Sequence, residues 1–139
     1  EPGDQQLVAR LEQLMSVERA HRQDGLTIGK LAQQLGLPET RLRRLINQAL
    51  GYRNFNSFVN RYRIAEVKAA LADPSQADVP VLTLALDAGF SSLGPFNRAF
   101  KADTGVTPSE YRRVARIGQS ISESASPPSN SARSNLAAH

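Results

Sequence analysis

Apolar residues recur every three to four positions along most of the chain, which is the period of a helix with one buried face. Near the start, Leu7, Leu11 and Leu14 follow this period and predict a helix over residues 4–22, with His21 exposed at its fraying end. The same pattern predicts six further helices, over residues 27–36, 38–50, 54–72, 81–88, 93–103 and 107–111. No alternating strand pattern is present, so the sequence predicts an all-α fold of seven helices.

Capping residues mark where several of these helices begin. Thr27 and Asn54 each precede a helical stretch and are suited to accept hydrogen bonds from its first turn. Thr107 is followed three positions later by Glu110, which is the pattern of a capping box. Residues 116–139 are rich in Ser, Ala and Pro and lack an apolar stripe, so we expect a disordered tail there.

Composition narrows the possible chemistry. The 139 residues include no cysteine and only two histidines, which argues against disulfides, thiol nucleophiles and metal sites. No carboxylate pair with a positioned histidine and no glycine-rich phosphate loop is present, so we expect neither an enzyme nor a cofactor. The sequence contains no run of 18 apolar residues, so it gives no indication of a membrane span.

The positive charge is unevenly distributed. The formal net charge is only +4, but seven basic residues lie between Gly25 and Arg63, and Glu39 is the only acid in that interval. A concentration of this kind favours an anionic partner.

The sequence also contains an internal repeat. Residues 31–46 and 84–100 align with Leu31 on Leu84 and Gly36 on Gly89, and each unit consists of a helix, a glycine turn and a second helix. This is the pattern of a helix-turn-helix. The second helices bury Ile46 and Phe100 at matching positions. Their opposite faces carry Thr40, Arg43, Arg44 and Asn47 in the first unit and Gly94, Asn97, Arg98 and Lys101 in the second.

These polar faces suit the edges of DNA bases. Arginine can donate two hydrogen bonds to guanine, and asparagine can both donate to and accept from adenine. We therefore predict that each second helix lies in a major groove. The predicted base-reading residues are Thr40, Arg43, Arg44, Asn47, Asn97 and Arg98. The predicted phosphate contacts are Thr27, Arg53, Arg61, Ser92, Lys101 and Arg112.

Plainer interpretations stay open for these residues. Arg43 and Arg44 also fit solvated positions on an amphipathic helix, and Asn97 fits ordinary surface polarity. Arg98 and Lys101 also fit ion pairs with Asp87 or Asp103. Thr27 and Ser92 also fit capping alone. Four arginines fit phosphate contacts and solubilising charge equally well: Arg53, Arg61, Arg63 and Arg112.

The run GFSSLGPFNRAFKADTGVTPSEYRR resembles the signature of the AraC/XylS family of bacterial transcription regulators. The matching positions are Gly89, Phe90, Phe96, Arg98, Phe100, Lys101, Gly105, Pro108, Tyr111 and Arg112. The likeness extends over about residues 7–115. It implies two helix-turn-helix lobes, over residues 4–53 and 74–115, joined by a rigid linker helix over residues 54–73.

The resemblance also implies a biological setting. Such a domain would bind a double-stranded DNA operator, with its two recognition helices about one helical turn apart, roughly 10 bp. Family members usually carry this domain behind a sensing or dimerisation domain, and often activate transcription by touching RNA polymerase. We therefore expect a C-terminal fragment of a cytoplasmic, nucleoid-associated activator, with no membrane contact from this segment.

The second recognition helix departs from the family pattern. Leu93, Gly94 and Pro95 stand where polar side chains are often found. We expect sequence choice to depend mainly on Arg43, Arg44 and Thr40, and secondarily on Asn97 and Arg98. The alternative function is a helix-turn-helix scaffold that binds a protein partner around Leu93. Salt separates the two, because DNA binding weakens steeply with ionic strength.

Overall fold

The computed structural model describes residues 3–125 and contains seven α-helices over that range. The helices are α1 (Asp4–Ser16), α2 (Ile28–Leu35), α3 (Glu39–Arg44), α4 (Phe55–Ala72), α5 (Val81–Asp87), α6 (Leu93–Thr104) and α7 (Pro108–Ala125). Short 3-10 turns cover Ala20–Arg22 and Pro74–Gln76, and a π-helical turn extends α3 over Leu45–Ala49. No strand is present in this part of the chain, so the predicted all-α class is confirmed.

The predicted caps form where the sequence placed them. The hydroxyl of Thr27 accepts a hydrogen bond from the amide of Lys30 at 3.1 Å, and Asn54 Oδ1 accepts one from the amide of Ser57 at 2.8 Å. The side chain of Glu110 accepts from the amide and the hydroxyl of Thr107, which completes the capping box. Local sequence therefore determines where α2, α4 and α7 begin.

Two apolar cores flank α4. The core of lobe one is formed by α1–α3 with Phe58 and Val59 of α4, and the core of lobe two by α5–α7 with Ile64, Val67 and Leu71 of α4. Helix α4 thus belongs to both lobes. Because one continuous helix of 18 residues enters both cores, it fixes the distance between the lobes.

The predicted end of the first helix is wrong. Helix α1 ends at Ser16 instead of residue 22, and Arg19 adopts a left-handed backbone with φ of 56°. His21, predicted to be exposed, is 4% exposed, and its Nδ1 lies 3.0 Å from the carbonyl oxygen of Met15. That contact caps one of the unpaired carbonyls at the end of α1. A side chain six positions downstream thus satisfies a carbonyl group at the end of α1.

The predicted start of the disordered tail is also wrong. The last helix was expected to be short and the tail to begin at residue 116, but α7 continues through Ala125, so residues 116–125 are helical. Arg116 Nη2 donates to the carbonyl oxygen of Ala77 at 2.7 Å, and Gln119 Nε2 donates to that of Ala72. These contacts hold a helix that lacks a continuous apolar stripe. The rest of the predicted tail, residues 126–139, lies outside the described residues.

Helix α3, the second helix of the first helix-turn-helix unit, does not continue as a regular α-helix. The amide of Leu50 donates to the carbonyl oxygen of Leu45 at 3.0 Å, five residues back, which is a π-helical bond. The amide of Tyr52 donates six residues back, to Ile46, also at 3.0 Å. The wider turn rotates the later side chains relative to a straight α-helix, and Asn47 lies within it.

Candidate nucleic-acid interface

The recognition helix of lobe one presents a polar face over a buried apolar one. Leu42 and Ile46 are at most 1% exposed and anchor the helix in the core. The four predicted base-reading residues on the other face are all exposed: Thr40, Arg43, Arg44 and Asn47. The anchor and the presented face therefore have the arrangement that the sequence predicted.

Three of these four side chains line depressions beside the helix. Arg43 and Asn47 line a cleft between α3 and α4, together with Arg53 and the start of α4. Arg44 lines a separate depression with Gln48 and Asp4, toward α1. The α3–α4 cleft is lined by Ile28, Arg43, Ile46, Asn47, Arg53, Asn54 and Phe55.

Arg43 already has an intramolecular partner. Its Nη2 lies 2.9 Å from Glu39 Oε1, one helical turn earlier, and both side chains are about half exposed. Exposed pairs of this kind contribute little to stability, typically about 0.3–0.5 kcal/mol. The pair can therefore open at little cost when a stronger acceptor reaches Arg43.

The predicted phosphate contacts of lobe one are all exposed, and Arg53 lines the α3–α4 cleft. Thr27 is exposed as the cap of α2, and its neighbour Ile28 lines the cleft. Arg53 is exposed beside the capped start of α4. Arg61 is exposed two turns into α4. An anion at this surface would meet a helix start with free amide groups and nearby guanidinium groups.

A second cleft separates the lobes and contains residues that the sequence analysis missed. Asn56 and Asn60 of α4 line it, as does Ser91 of lobe two. Both asparagines lie on one stripe of α4, and Pro95 at the start of α6 borders the same cleft. Their four-residue spacing could have been noticed in the sequence, but nothing local showed that the stripe faces this cleft.

The recognition helix of lobe two, α6, is anchored by aromatic packing. Phe96 and Phe100 are fully buried, with ring centroids 5.6 Å apart, and Tyr111 packs edge-on against Phe100 at 5.5 Å. Asn97 and Arg98 are exposed on the opposite face. Ser92 precedes the helix as its cap residue, but its side chain makes no capping hydrogen bond. Its hydroxyl is therefore free to accept or donate elsewhere.

The cations of α6 are not engaged by the acids that flank the helix. Asp103 pairs instead with Lys68 of α4, at 3.4 Å. Within residues 3–125, neither Arg98 nor Lys101 lies within salt-bridge distance of an acid. Hydrogen bonds from Thr107 hold the pKa of Glu110 below its ordinary value, and the nearby charges of Arg113 and Lys101 lower it further.

Arg112, one of the predicted phosphate contacts, forms a hydrogen bond within the protein. Its Nη2 donates to the carbonyl oxygen of Val79 at 2.7 Å, in the loop before α5, and its Nε is buried without a hydrogen-bond partner in the described chain. The guanidinium group therefore fastens this loop to α7. A structural role accounts for Arg112 without any contact to a ligand.

No group of three or more His, Asp or Glu side chains in residues 3–125 is placed to hold a metal ion. No helix in the same range is both long and apolar enough to cross a bilayer.

A family model described as "Helix-turn-helix domain" matches residues 31–114, more than half of the chain. The match includes both recognition helices and the whole of α4. The chain belongs to the AraC/XylS family of helix-turn-helix regulators. The predicted resemblance is therefore confirmed, and this AraC-type domain is a DNA-binding regulator domain.

Individual relatives of the AraC-type domain agree with this assignment. An uncharacterized HTH-type transcriptional regulator of Staphylococcus aureus (strain COL) is 31% identical over 103 residues, which are 74% of this chain and 13% of that protein. The "Probable transcription factor PqrA" of Proteus vulgaris is 30% identical over 91 residues, 66% of this chain and 71% of PqrA. The chain thus spans a small part of the staphylococcal relatives and most of PqrA.

A solved structure shares the fold. The C-terminal domain of AraT, a response regulator from Geobacillus stearothermophilus, superposes with a TM-score of 0.64 at 25% sequence identity. The superposition covers 82% of this chain and 86% of that domain. The arrangement of two lobes on a shared helix is therefore that of an AraC-type domain.

Proposed function

We propose that this domain binds double-stranded DNA in a sequence-specific manner, with α3 and α6 in successive major-groove segments. The observation that carries the proposal is the pair of recognition helices, each with an apolar face buried in its own core and a polar face exposed, held by one continuous helix. One chain can in this way present two recognition helices to one face of a duplex.

We assign base contacts first to lobe one. Arg43 and Asn47 both line the α3–α4 cleft. Thr40 and Arg44 are exposed on the same recognition helix. An arginine that bonds guanine at two positions contributes about 1–3 kcal/mol of discrimination against the wrong base. In lobe two the base contacts are Asn97 and Arg98, because Leu93 and Gly94 provide no hydrogen-bonding side chain at the start of α6.

We assign phosphate contacts to residues around the two helix starts and along α4. Arg53, Arg61 and Lys101 are exposed cations, and Thr27 and Ser92 stand at the starts of α2 and α6. Phosphate contacts hold the protein in register on the duplex without selecting a sequence. Asn56 and Asn60 face the gap between the lobes, where the DNA between the two half-sites would pass.

The whole regulator would contain more than this domain. We propose an additional sensing or dimerisation domain, supported by the much greater length of the staphylococcal relatives and by the description of the AraT structure as a C-terminal domain. Activation through contact with RNA polymerase in the bacterial cytoplasm fits the same proposal.

A second candidate function is supported by exposed leucines. Leu82 and Leu86 lie one turn apart on α5 and are 42% and 46% exposed, and Leu93 at the start of α6 is 41% exposed. A partner protein that covered these side chains would bury apolar area, and its affinity would change little with salt. This module would be an interaction scaffold in place of a DNA reader.

Selection from a random DNA pool tests the proposal. The chain should enrich one site with two motifs about one helical turn apart, roughly 10 bp. Titration of that duplex at several salt concentrations should show a steep loss of affinity, because bound cations are released from phosphates. One motif alone would restrict base reading to one lobe. Absence of any binding would favour the interaction scaffold.

A further inference from the structure

The two lobes meet at a cluster of residues that contact one another within the protein. We name it the interlobe joint, and it consists of His21 and Arg22 from lobe one, Arg63 and Glu66 from α4, and Gly89 from lobe two. Arg63 was one of four arginines whose sequence context fitted phosphate binding and solubilising charge equally well. The structure gives it a third role.

Arg63 connects α4 to lobe one through backbone carbonyls. Its Nε donates to the carbonyl oxygen of His21 at 2.8 Å, and its Nη2 lies 3.4 Å from that of Gln23. The guanidinium group also lies over the ring of Phe90 in lobe two, 5.7 Å from the ring centroid. One side chain thus contacts both lobes while it is anchored on the helix they share.

Glu66 makes a parallel connection one turn further along α4. Its Oε1 lies 2.8 Å from His21 Nε2, and its Oε2 lies 2.8 Å from Arg22 Nη2. Only 20% of the Glu66 side chain is exposed. Charged hydrogen bonds that are partly shielded from water are stronger than surface pairs. The short turn Ala20–Arg22 is therefore bound to α4 by two side chains of α4.

Gly89 brings the backbone of lobe two into direct contact with the same turn. Its φ of +110° lies in the region that favours glycine, and a Cβ at this position would collide with the carbonyl oxygen of His21 and lie 2.8 Å from Arg63 Nε. Any larger residue would push the lobes apart or displace Arg63. The absence of a side chain is thus a condition for this close approach.

We propose that the interlobe joint determines which spacing between two DNA half-sites the domain accepts, with Arg63 and Gly89 as positioning residues. The inference rests on the proposed two-helix binding mode. Helix α4 sets the distance between the lobes, but a single helix leaves rotation and bending at its two attachments. The joint adds a second attachment beside α4, so the relative orientation of α3 and α6 is fixed before DNA arrives.

A fixed orientation makes spacing selective. One additional base pair moves the second half-site by about 3.4 Å and rotates it by roughly one tenth of a turn. A preorganised pair of recognition helices would lose one set of contacts on such a site, whereas a loosely joined pair could follow the displacement. Loosening the joint should therefore lower affinity at the preferred spacing more than at altered spacings.

The DNA test uses the duplex selected from the random pool and two derivatives, with one base pair inserted or deleted between the motifs. For the unmodified chain we expect about tenfold weaker binding to each derivative, equivalent to about 1.4 kcal/mol. Arg63→Ala and Glu66→Gln should reduce that ratio to about twofold. Arg61→Ala, two residues away and outside the joint, should weaken binding to all three duplexes by the same factor and keep the ratio. A uniform loss for Arg63→Ala would overturn the proposal.

A measurement without DNA addresses the rigidity of the joint directly. The chain contains no cysteine, so Gln13→Cys in α1 and Ala102→Cys in α6, both at exposed positions, provide one spin-label site in each lobe. The distance distribution between the labels should be narrow and should broaden with Arg63→Ala or Glu66→Gln. Unchanged distributions would overturn the rigid joint. Failure of the pool to yield a site with two motifs would instead contradict the proposed function, so the two failures are distinguishable.

Discussion

His21 Nε2 lies 2.8 Å from Glu66 Oε1, which links the turn after α1 to the middle of the shared helix. The other ring nitrogen, Nδ1, faces the carbonyl oxygen of Met15 at 3.0 Å. The two ring nitrogens thus contact acceptors on two different elements of the fold. His21 thereby caps α1 and attaches it to α4 with a single side chain.

Replacement of His21 tests this double role. His21→Leu introduces an apolar side chain of similar bulk. It leaves the Met15 carbonyl without its side-chain partner, and of the two side chains that contact Glu66 in the interlobe joint only Arg22 remains. We expect the free energy of unfolding to fall by about 1–3 kcal/mol, the usual cost of an unsatisfied buried polar group. Urea titration measures it, with Glu18→Leu on the exposed turn nearby as the control. Equal stability of the two variants would contradict the capping role.

The pKa of Glu66 predicts a dependence of stability on pH. Partial burial alone would raise this pKa, but hydrogen bonds from Arg22 and His21 outweigh burial and hold it below the ordinary value. A carboxyl that is more acidic in the folded state stabilises fully above the ordinary glutamate pKa of about 4.3. That stabilisation is lost as the pH falls through the lower, folded-state pKa.

We therefore expect the free energy of unfolding to decrease on acidification below about pH 4.3. Glu66→Gln should show a shallower decrease, because its side chain has no proton to gain. Urea titrations of both proteins over the same pH series measure the difference. Parallel curves for the two proteins would show that the Glu66 contacts do not favour its ionised form.

The ion pair between Arg43 and Glu39 predicts a variant that binds DNA more tightly. Glu39→Gln removes the only acid between Gly25 and Arg63, frees the Arg43 guanidinium and lowers the repulsion between this surface and phosphates. We expect a gain of about 0.5–1 kcal/mol in binding free energy, largest at low salt. Fluorescence anisotropy with the selected duplex measures it. Glu12→Gln, on exposed α1, is the matched control, and an equal gain there would mean that only net charge matters.

Much of the fold could be predicted because its determinants are local. The caps at Thr27 and Asn54 and the capping box at Thr107 depend on residues within one turn of each other, and all three were predicted correctly. The anchoring of α6 by Phe96 and Phe100 follows from their spacing alone. The local pattern predicts single helices but not how they are grouped. The repeat indicated that grouping, because it showed two units with the same helix-turn-helix architecture.

The failures share a long-range cause. His21 bonds a residue 45 positions away, and Gln119 bonds one 47 positions away, so neither the end of α1 nor the end of α7 is encoded nearby. The π-helical turn over Leu45–Ala49 was also not predicted, and it changes the direction of the side chains within it, Asn47 among them. The sequence does not distinguish Arg63 from Arg61. What sets Arg63 apart is its contact with the backbone of His21, beside Gly89 of lobe two.

The aromatic anchor of α6 predicts a large loss of stability. Phe100 is fully buried and contacts the rings of Phe96 and Tyr111. Phe100→Ala should lower the free energy of unfolding by about 3–5 kcal/mol, because it removes a buried ring and leaves a cavity. Thermal or urea unfolding measures it, and Leu93→Ala, at a half-exposed position of the same helix, should cost far less. Similar losses for the two variants would contradict the helix orientation.

The unexpected length of α7 predicts a structural role for residues beyond 115. Arg116 and Gln119 donate to the carbonyls of Ala77 and Ala72, which bracket the loop between α4 and α5. The double variant Arg116→Ala with Gln119→Ala should lower the free energy of unfolding by about 1–3 kcal/mol, since each hydrogen bond contributes about 0.5–1.5 kcal/mol. Amide hydrogen exchange should accelerate in residues 73–80 before global unfolding changes. The control is Arg113→Ala, an exposed residue of the same helix. Equal exchange in the loop for both proteins would mean that α7 extends without fastening it.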